Sequence, residues 1–157
     1  FAVQESIAAA VAAHKRRLAN VIAVFPDAEV RDRAGEVMRM VGLDAVRNKR
    51  CDTLSHGDQK LLDIALALAL EPRVLLLDEP TAGMGRDERW SMIDCVYRLW
   101  EQVRMTLIFI EHDMDIVFKI AQTVRVLRQG TKLAEGGPEE VRNNPAVIEA
   151  YLGSELQ

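Results

Sequence analysis

Apolar residues follow two rhythms along this chain, and the change between them near residue 54 divides it. Before that point the pattern is helical throughout. Glu5 to His14 is rich in alanine, the residue with the highest helix propensity. Val30, Ala34, Val37, Met38 and Val41 then recur at the spacing of one buried helix face. This second helix is expected to start at Pro26, because proline suits the first helical turn. It is expected to end at Gly42, which suits a C-terminal cap. Arg47 to Arg50 reads as a basic, solvated connector.

From Leu54 onward, helical stretches alternate with short apolar runs. Leu61 to Leu70 predicts an apolar helix. Val74 to Leu77, bounded by Pro72 and Pro80, predicts a strand buried on both faces, and Leu107 to Ile110 predicts a second. Between them, Asp87 to Val103 predicts a long helix with Ile93, Val96, Tyr97 and Trp100 on its apolar stripe. Asp113 to Ala121 is a further helix. Val124 to Leu127 and Lys132 to Ala134 flank Gln129-Gly130 as a hairpin would. Pro138 and Pro145 open two closing helices. Alternation of strand and helix predicts an α/β layered sheet. The expected division is a helical subdomain over residues 1–53 and an α/β part over residues 54–157.

Length and charge narrow the classes. A chain of 157 residues can bury a core of its own. Its net charge of −4 argues against a general nucleic-acid binder. Two cysteines, Cys51 and Cys95, make no disulfide framework, and reduced thiols are expected. No apolar run approaches the roughly 20 residues of a membrane span. The basic cluster Lys15-Arg16-Arg17 follows the first apolar stretch, the reverse of a secretory signal, so a cytosolic location is expected. The chain opens on Phe1 rather than Met, as a segment of a longer protein would.

Three polar clusters sit at element boundaries. Ser55-His56-Gly57-Asp58 has the spacing of a capping box at a helix start. Such a start, with its amides and positive dipole end, also suits a phosphate group, and Gly57 lets the backbone come close. Asp78-Glu79 places two carboxylates where a buried strand leaves its sheet, the edge at which parallel sheets bind ligands. Asp78 has the hard oxygen chemistry Mg²⁺ prefers, and Glu79 could orient or deprotonate a water. His112 follows the second strand and could hydrogen-bond a phosphate oxygen or that water. Each cluster alone also fits an ordinary structural role: a capped helix, a solvated strand end, a lone histidine.

In this order and at these boundaries the clusters resemble the later part of an ABC-transporter ATPase subunit. Leu54 to Gln59 resembles that family's signature motif, and Val74 to Glu79 its Walker B strand. Thr81-Ala82-Gly83-Met84-Gly85 falls where the D-loop belongs, and His112 where the switch histidine belongs. The form Leu-Ser-His-Gly-Asp-Gln, the run Glu-His-Asp-Met-Asp and the terminal Tyr151-Leu152-Gly153 are most similar to uptake systems for branched-chain amino acids, with urea importers close. The signature's usual first glycine is His56 here, its usual following glutamine is Asp58, and the D-loop's usual aspartate is Gly85.

The resemblance implies a partial P-loop NTPase-type sheet, the ABC ATPase core, beside an all-helical subdomain. It implies ATP and Mg²⁺ as cofactors. Ser55 and Gly57 would face the γ-phosphate of a nucleotide held by a second ATPase subunit, with His56, Asp58 and Gln59 in the same nucleotide-binding stretch. Asp78 would serve Mg²⁺, Glu79 the attacking water, and His112 the γ-phosphate. Implied partners are that second subunit and transmembrane permease subunits, with no nucleic acid, and the implied location is the inner face of the plasma membrane. No Gly-x-x-x-x-Gly-Lys-Ser/Thr loop occurs in the 157 residues. The chain on its own is therefore expected neither to bind ATP tightly nor to turn it over, since that loop supplies most phosphate contacts. The other expectation, of a different class, is a non-catalytic module that only docks on a permease or partner ATPase. A strand left without its neighbour would favour self-association.

Overall fold

The structure, a computed structural model, describes residues 1–15 and 26–152. Arg16, Arg17 and Gly153 from the sequence motifs lie outside the described residues. The chain divides into two compact units, Phe1–Ile110 and Glu111–Gln157.

The first unit opens with α1, Val3–His14, whose buried face is Val3, Ile7, Ala8, Val11 and Ala12. Its first amides find partners outside the helix: Val3 donates to the Lys49 carbonyl and Gln4 to the Arg47 carbonyl, each at 3.0 Å. The connector Arg47 to Arg50 thus keeps its side chains in solvent and gives its backbone to the start of α1. Helix α2 runs Ala28–Val41 with the predicted buried face. It begins after Asp27 rather than at Pro26, because the Asp27 carboxylate accepts from the Val30 amide at 2.9 Å and so caps the helix. Gly42 ends it at φ +79°, as a left-handed cap requires.

Helix α3, His56–Leu68, is followed by strand β1, Val74–Asp78, helix α4, Arg86–Val103, and strand β2, Thr106–Ile110. Strands β1 and β2 pair in parallel, with Val74 opposite Thr106 and Asp78 opposite Ile110. The helix between them makes the connection such a pairing needs. One core cluster gathers residues of α1, α2, α3, β1 and α4, so the helical segments of residues 1–53 share a unit with the start of the α/β part.

The strands are not buried on both faces: Leu75 is buried, while Leu76 is 71% and Ile110 62% exposed. The outer face made by Val74, Leu76, Ile108 and Ile110 is apolar and lies open. The stripe of α4 is also shifted. Its buried residues are Met92, Ile93, Cys95, Val96 and Leu99, whereas Tyr97 is exposed and Trp100 only partly covered.

The second unit holds α5, Met114–Ile120, strands β3, Val124–Arg128, and β4, Thr131–Gly136, then α6, Pro138–Arg142, and α7, Pro145–Val147. Strands β3 and β4 form the predicted antiparallel hairpin. Gln129 and Gly130 both have positive φ, +50° and +77°, the requirement of a two-residue I′ turn. The Arg142 guanidinium lies 5.5 Å from the centre of the Phe118 ring.

Candidate functional site

The start of α3 shows the serine half of the expected capping box. Ser55 is the N-cap, and its hydroxyl accepts from the Asp58 amide at 3.1 Å. The Gln59 side chain donates back to the Leu54 carbonyl at 3.2 Å, holding the entry to the helix. Amides in a first helical turn have no partner within the helix, which makes this end suited to an anion. An added Cβ on Gly57 would come no closer than 4.0 Å, to Met84 Cε, so the fold does not need glycine here.

The carboxylate pair sits at the end of β1. Asp78 is the last strand residue and Glu79 the first beyond it, and both are exposed. Glu79 has φ +44°, a left-handed conformation that costs a side-chain-bearing residue about 1–2 kcal/mol. Its backbone is held on both sides. The amide donates to the Ile110 carbonyl at 2.9 Å, and the carbonyl accepts from the Ala82 amide at 3.1 Å. That second bond closes a turn with Pro80 in the position proline favours. A second turn follows, in which the Met84 amide donates to the Thr81 carbonyl at 3.2 Å and Gly83 has φ +78°. Pro80, Thr81 and Met84 are buried, which anchors this loop.

Helix α3 and this loop are in direct contact. His56 Nε2 lies 3.2 Å from the Ala82 carbonyl oxygen. Because a carbonyl only accepts, Nε2 is the protonated nitrogen. Lys60 Nζ donates to the Glu79 carbonyl at 3.1 Å. The structure therefore brings Ser55 to Gln59 together with the segment that follows Asp78 and Glu79. Lys60 was not among the residues singled out from the sequence. The available signal was its spacing of four from His56, which puts both on one helix face.

His112 belongs to the second unit, where it is exposed on the segment between β2 and α5. The next residue, Asp113, caps α5 by accepting from the Asp115 and Ile116 amides at 3.2 and 3.4 Å. Among the described residues, no three histidine, cysteine or acidic side chains form a group that could hold a metal alone. Magnesium does not require one, since it uses one or two carboxylates and completes its shell with water and phosphate oxygens. The exposed Asp78 carboxylate at the strand end fits that donor set.

The parallel pair, the capped helix start and the strand-end carboxylates describe part of an ATP-binding-cassette fold, and comparisons with known proteins agree. The chain belongs to the ABC transporter family: the profile described as ABC transporter matches residues 3–82. A second profile, described as branched-chain amino acid ATP-binding cassette transporter, matches residues 131–156. Among curated relatives, the high-affinity branched-chain amino acid transport ATP-binding protein LivG of Salmonella typhimurium is 42% identical over 125 residues, 80% of this chain and 49% of that protein. The cobalt import ATP-binding protein CbiO of the same organism is 41% identical over 116 residues, 74% of this chain and 42% of that protein. The chain thus spans about half the length of the curated relatives it matches. Among solved structures, cbiO1 from Clostridium perfringens, part of the ABC transporter complex cbiONQ, superposes with a TM-score of 0.71 at 32% identity, covering 83% of this chain and 52% of that one. An ATP-binding cassette of an ABC transporter in its ADP conformation gives a TM-score of 0.78 over 98% of this chain and 63% of that one; at 24% identity it speaks for the fold alone. No helix among the described residues is long and apolar enough to cross a membrane.

Proposed function

We propose that this chain supplies the signature helix and the hydrolytic carboxylate of an ATPase subunit that drives an importer of branched-chain amino acids. The observation that carries this reading is the contact between the capped start of α3 and the loop after Asp78 and Glu79. That arrangement packs the helix with the phosphate-suited end against the backbone of the loop that follows the carboxylate pair. The solute class follows the name of the LivG relative and of the family profile over residues 131–156, whereas the CbiO relative is named for cobalt.

In this reading the α3 amides and the Ser55 hydroxyl face the γ-phosphate of ATP gripped by the phosphate loop of a second ATPase subunit. Gly57 keeps the approach open, and His56, Asp58 and Gln59 complete the stretch. Asp78 holds Mg²⁺, which when bound neutralises charge on the phosphates. Glu79 orients the attacking water and accepts its proton, and His112 contacts the γ-phosphate. The subunit lies on the inner face of the plasma membrane, with permease subunits as its other partners. Closure of the dimer around nucleotide then biases the permease between two conformations.

The alternative reading is a docking module without catalysis. One experiment separates the two. Vesicles containing the assembled transporter are assayed for ATP-driven leucine uptake with wild-type chain and with Glu79→Gln. Uptake that needs ATP and disappears in the variant supports the importer ATPase. Uptake that survives the variant, or permease capture that never depends on nucleotide, supports the module.

A further inference from the structure

Two side chains of α3 reach across to the loop that carries Glu79, and both end on backbone carbonyls. Lys60 Nζ donates to the Glu79 carbonyl at 3.1 Å, and His56 Nε2 to the Ala82 carbonyl at 3.2 Å. Being four residues apart, they project from one face of the helix. Their targets are three residues apart in a pair of tight turns, at Glu79–Ala82 and Thr81–Met84. The loop has reasons to need holding. Glu79 is left-handed without being glycine, and such strain persists only where the surroundings over-determine it. The Gly83 position is tight as well: a Cβ there would meet His56 Nε2 at 3.3 Å. The imidazole is thus packed against the loop as well as bonded to it.

We propose that Lys60 and His56 are positioning residues that clamp the start of α3 to the Glu79–Gly83 loop, so that the helix end facing a phosphate and the carboxylate that activates water move as one body within a subunit. This rests on the ATPase reading above for its functional half. Lys60 fixes the backbone of Glu79 through a charge-assisted bond to its carbonyl, which sustains the left-handed turn that starts the loop. His56 fixes the next turn. An anion that orders the first turn of α3 would then also set the position of Glu79, with no relay through another subunit. The substitution of the family's usual glycine by His56 supplies the second contact point.

The clamp is tested first without nucleotide, on the full chain, by amide exchange followed by NMR. Lys60→Met should speed exchange of the Ala82 amide, which shares the Glu79 carbonyl, by about three- to tenfold. His56→Ala should do the same for the Met84 amide, while Lys60→Arg should stay near wild type. Unchanged exchange at both amides in the two variants would overturn the clamp. The functional half is read in the assembled ATPase dimer that contains this chain. Lys60→Met should lower kcat about 10- to 100-fold with KM for ATP unchanged, and Lys60→Arg should restore it. A loss that appears in KM alone, or no recovery with arginine, would overturn the positioning role. Should Glu79→Gln leave hydrolysis intact, the ATPase reading fails instead, and the exchange measurement still decides whether the clamp exists.

Discussion

The Glu79 amide donates to the Ile110 carbonyl at 2.9 Å, one step beyond the last paired residues of the parallel strands, Asp78 and Ile110. The backbone of the proposed catalytic carboxylate is therefore set by the neighbouring strand as well as its own. Sheet pairing continues past the point where β1 ends and the left-handed turn begins.

The glycines on either side of the helix–loop contact should behave in opposite ways. Gly83→Ala forces a side chain into φ +78° and against His56, so unfolding in urea should show a loss of about 1–2 kcal/mol. Gly57→Ala meets nothing closer than 4.0 Å, so its stability should stay within about 0.5 kcal/mol of wild type. If the α3 amides face a phosphate as proposed, the added methyl should hinder its approach, and hydrolysis in the assembled dimer should fall by about tenfold or more. Equal effects of the two substitutions on stability would contradict this assignment.

Most elements and the cap that opens α3 were legible because they rest on local signals. The Ser55 cap, the Gly42 and Gln129-Gly130 turns and the apolar strand runs all announce themselves within a few residues. What failed depended on partners distant in the chain. Apolar strands predict two covered faces, yet only the face with Leu75 is covered here. The aromatic rings of Tyr97 and Trp100 suggested a buried stripe, while the smaller Cys95 and Leu99 take the core positions. Pro26 was a weaker start signal than Asp27, whose carboxylate reaches the Val30 amide. Lys60 acts on a carbonyl 19 positions away, and no spacing rule names that target.

The open sheet face predicts association. Val74, Leu76, Ile108 and Ile110 are 46%, 71%, 50% and 62% exposed, and apolar sheet surface of this kind pairs with other copies. Light scattering should show the isolated chain growing in mass with concentration. Leu76 lies opposite Ile108, so Leu76→Lys with Ile108→Glu puts opposite charges across the strands and should return a monomer. A wild-type chain that stays monomeric at high concentration would refute the prediction.

The hairpin of the second unit carries an acid test. Glu135 accepts from Arg125 at 2.8 Å and from Lys132 at 3.0 Å, and these two cations lower its pKa to about 2, Arg125 contributing more. The folded value lies below the unfolded one. The stabilisation is therefore present above the ordinary glutamate range and is lost as pH falls from about 4.5 toward about 2. NMR titration of the Glu135 carboxyl carbon should find a midpoint near 2 in the folded chain. Arg125→Ala should move that midpoint upward more than Lys132→Ala does. A midpoint in the ordinary glutamate range with both cations present would contradict it.

Whether Glu79 performs the hydrolytic step is decided most directly by Glu79→Gln in the assembled ATPase dimer, with nucleotide binding and phosphate release measured on the same preparation. Binding of MgATP at wild-type affinity with phosphate release slowed by about 100-fold or more is the predicted result. Release within a factor of about three of wild type, with binding equally intact, would contradict the proposed role of this strand-end carboxylate.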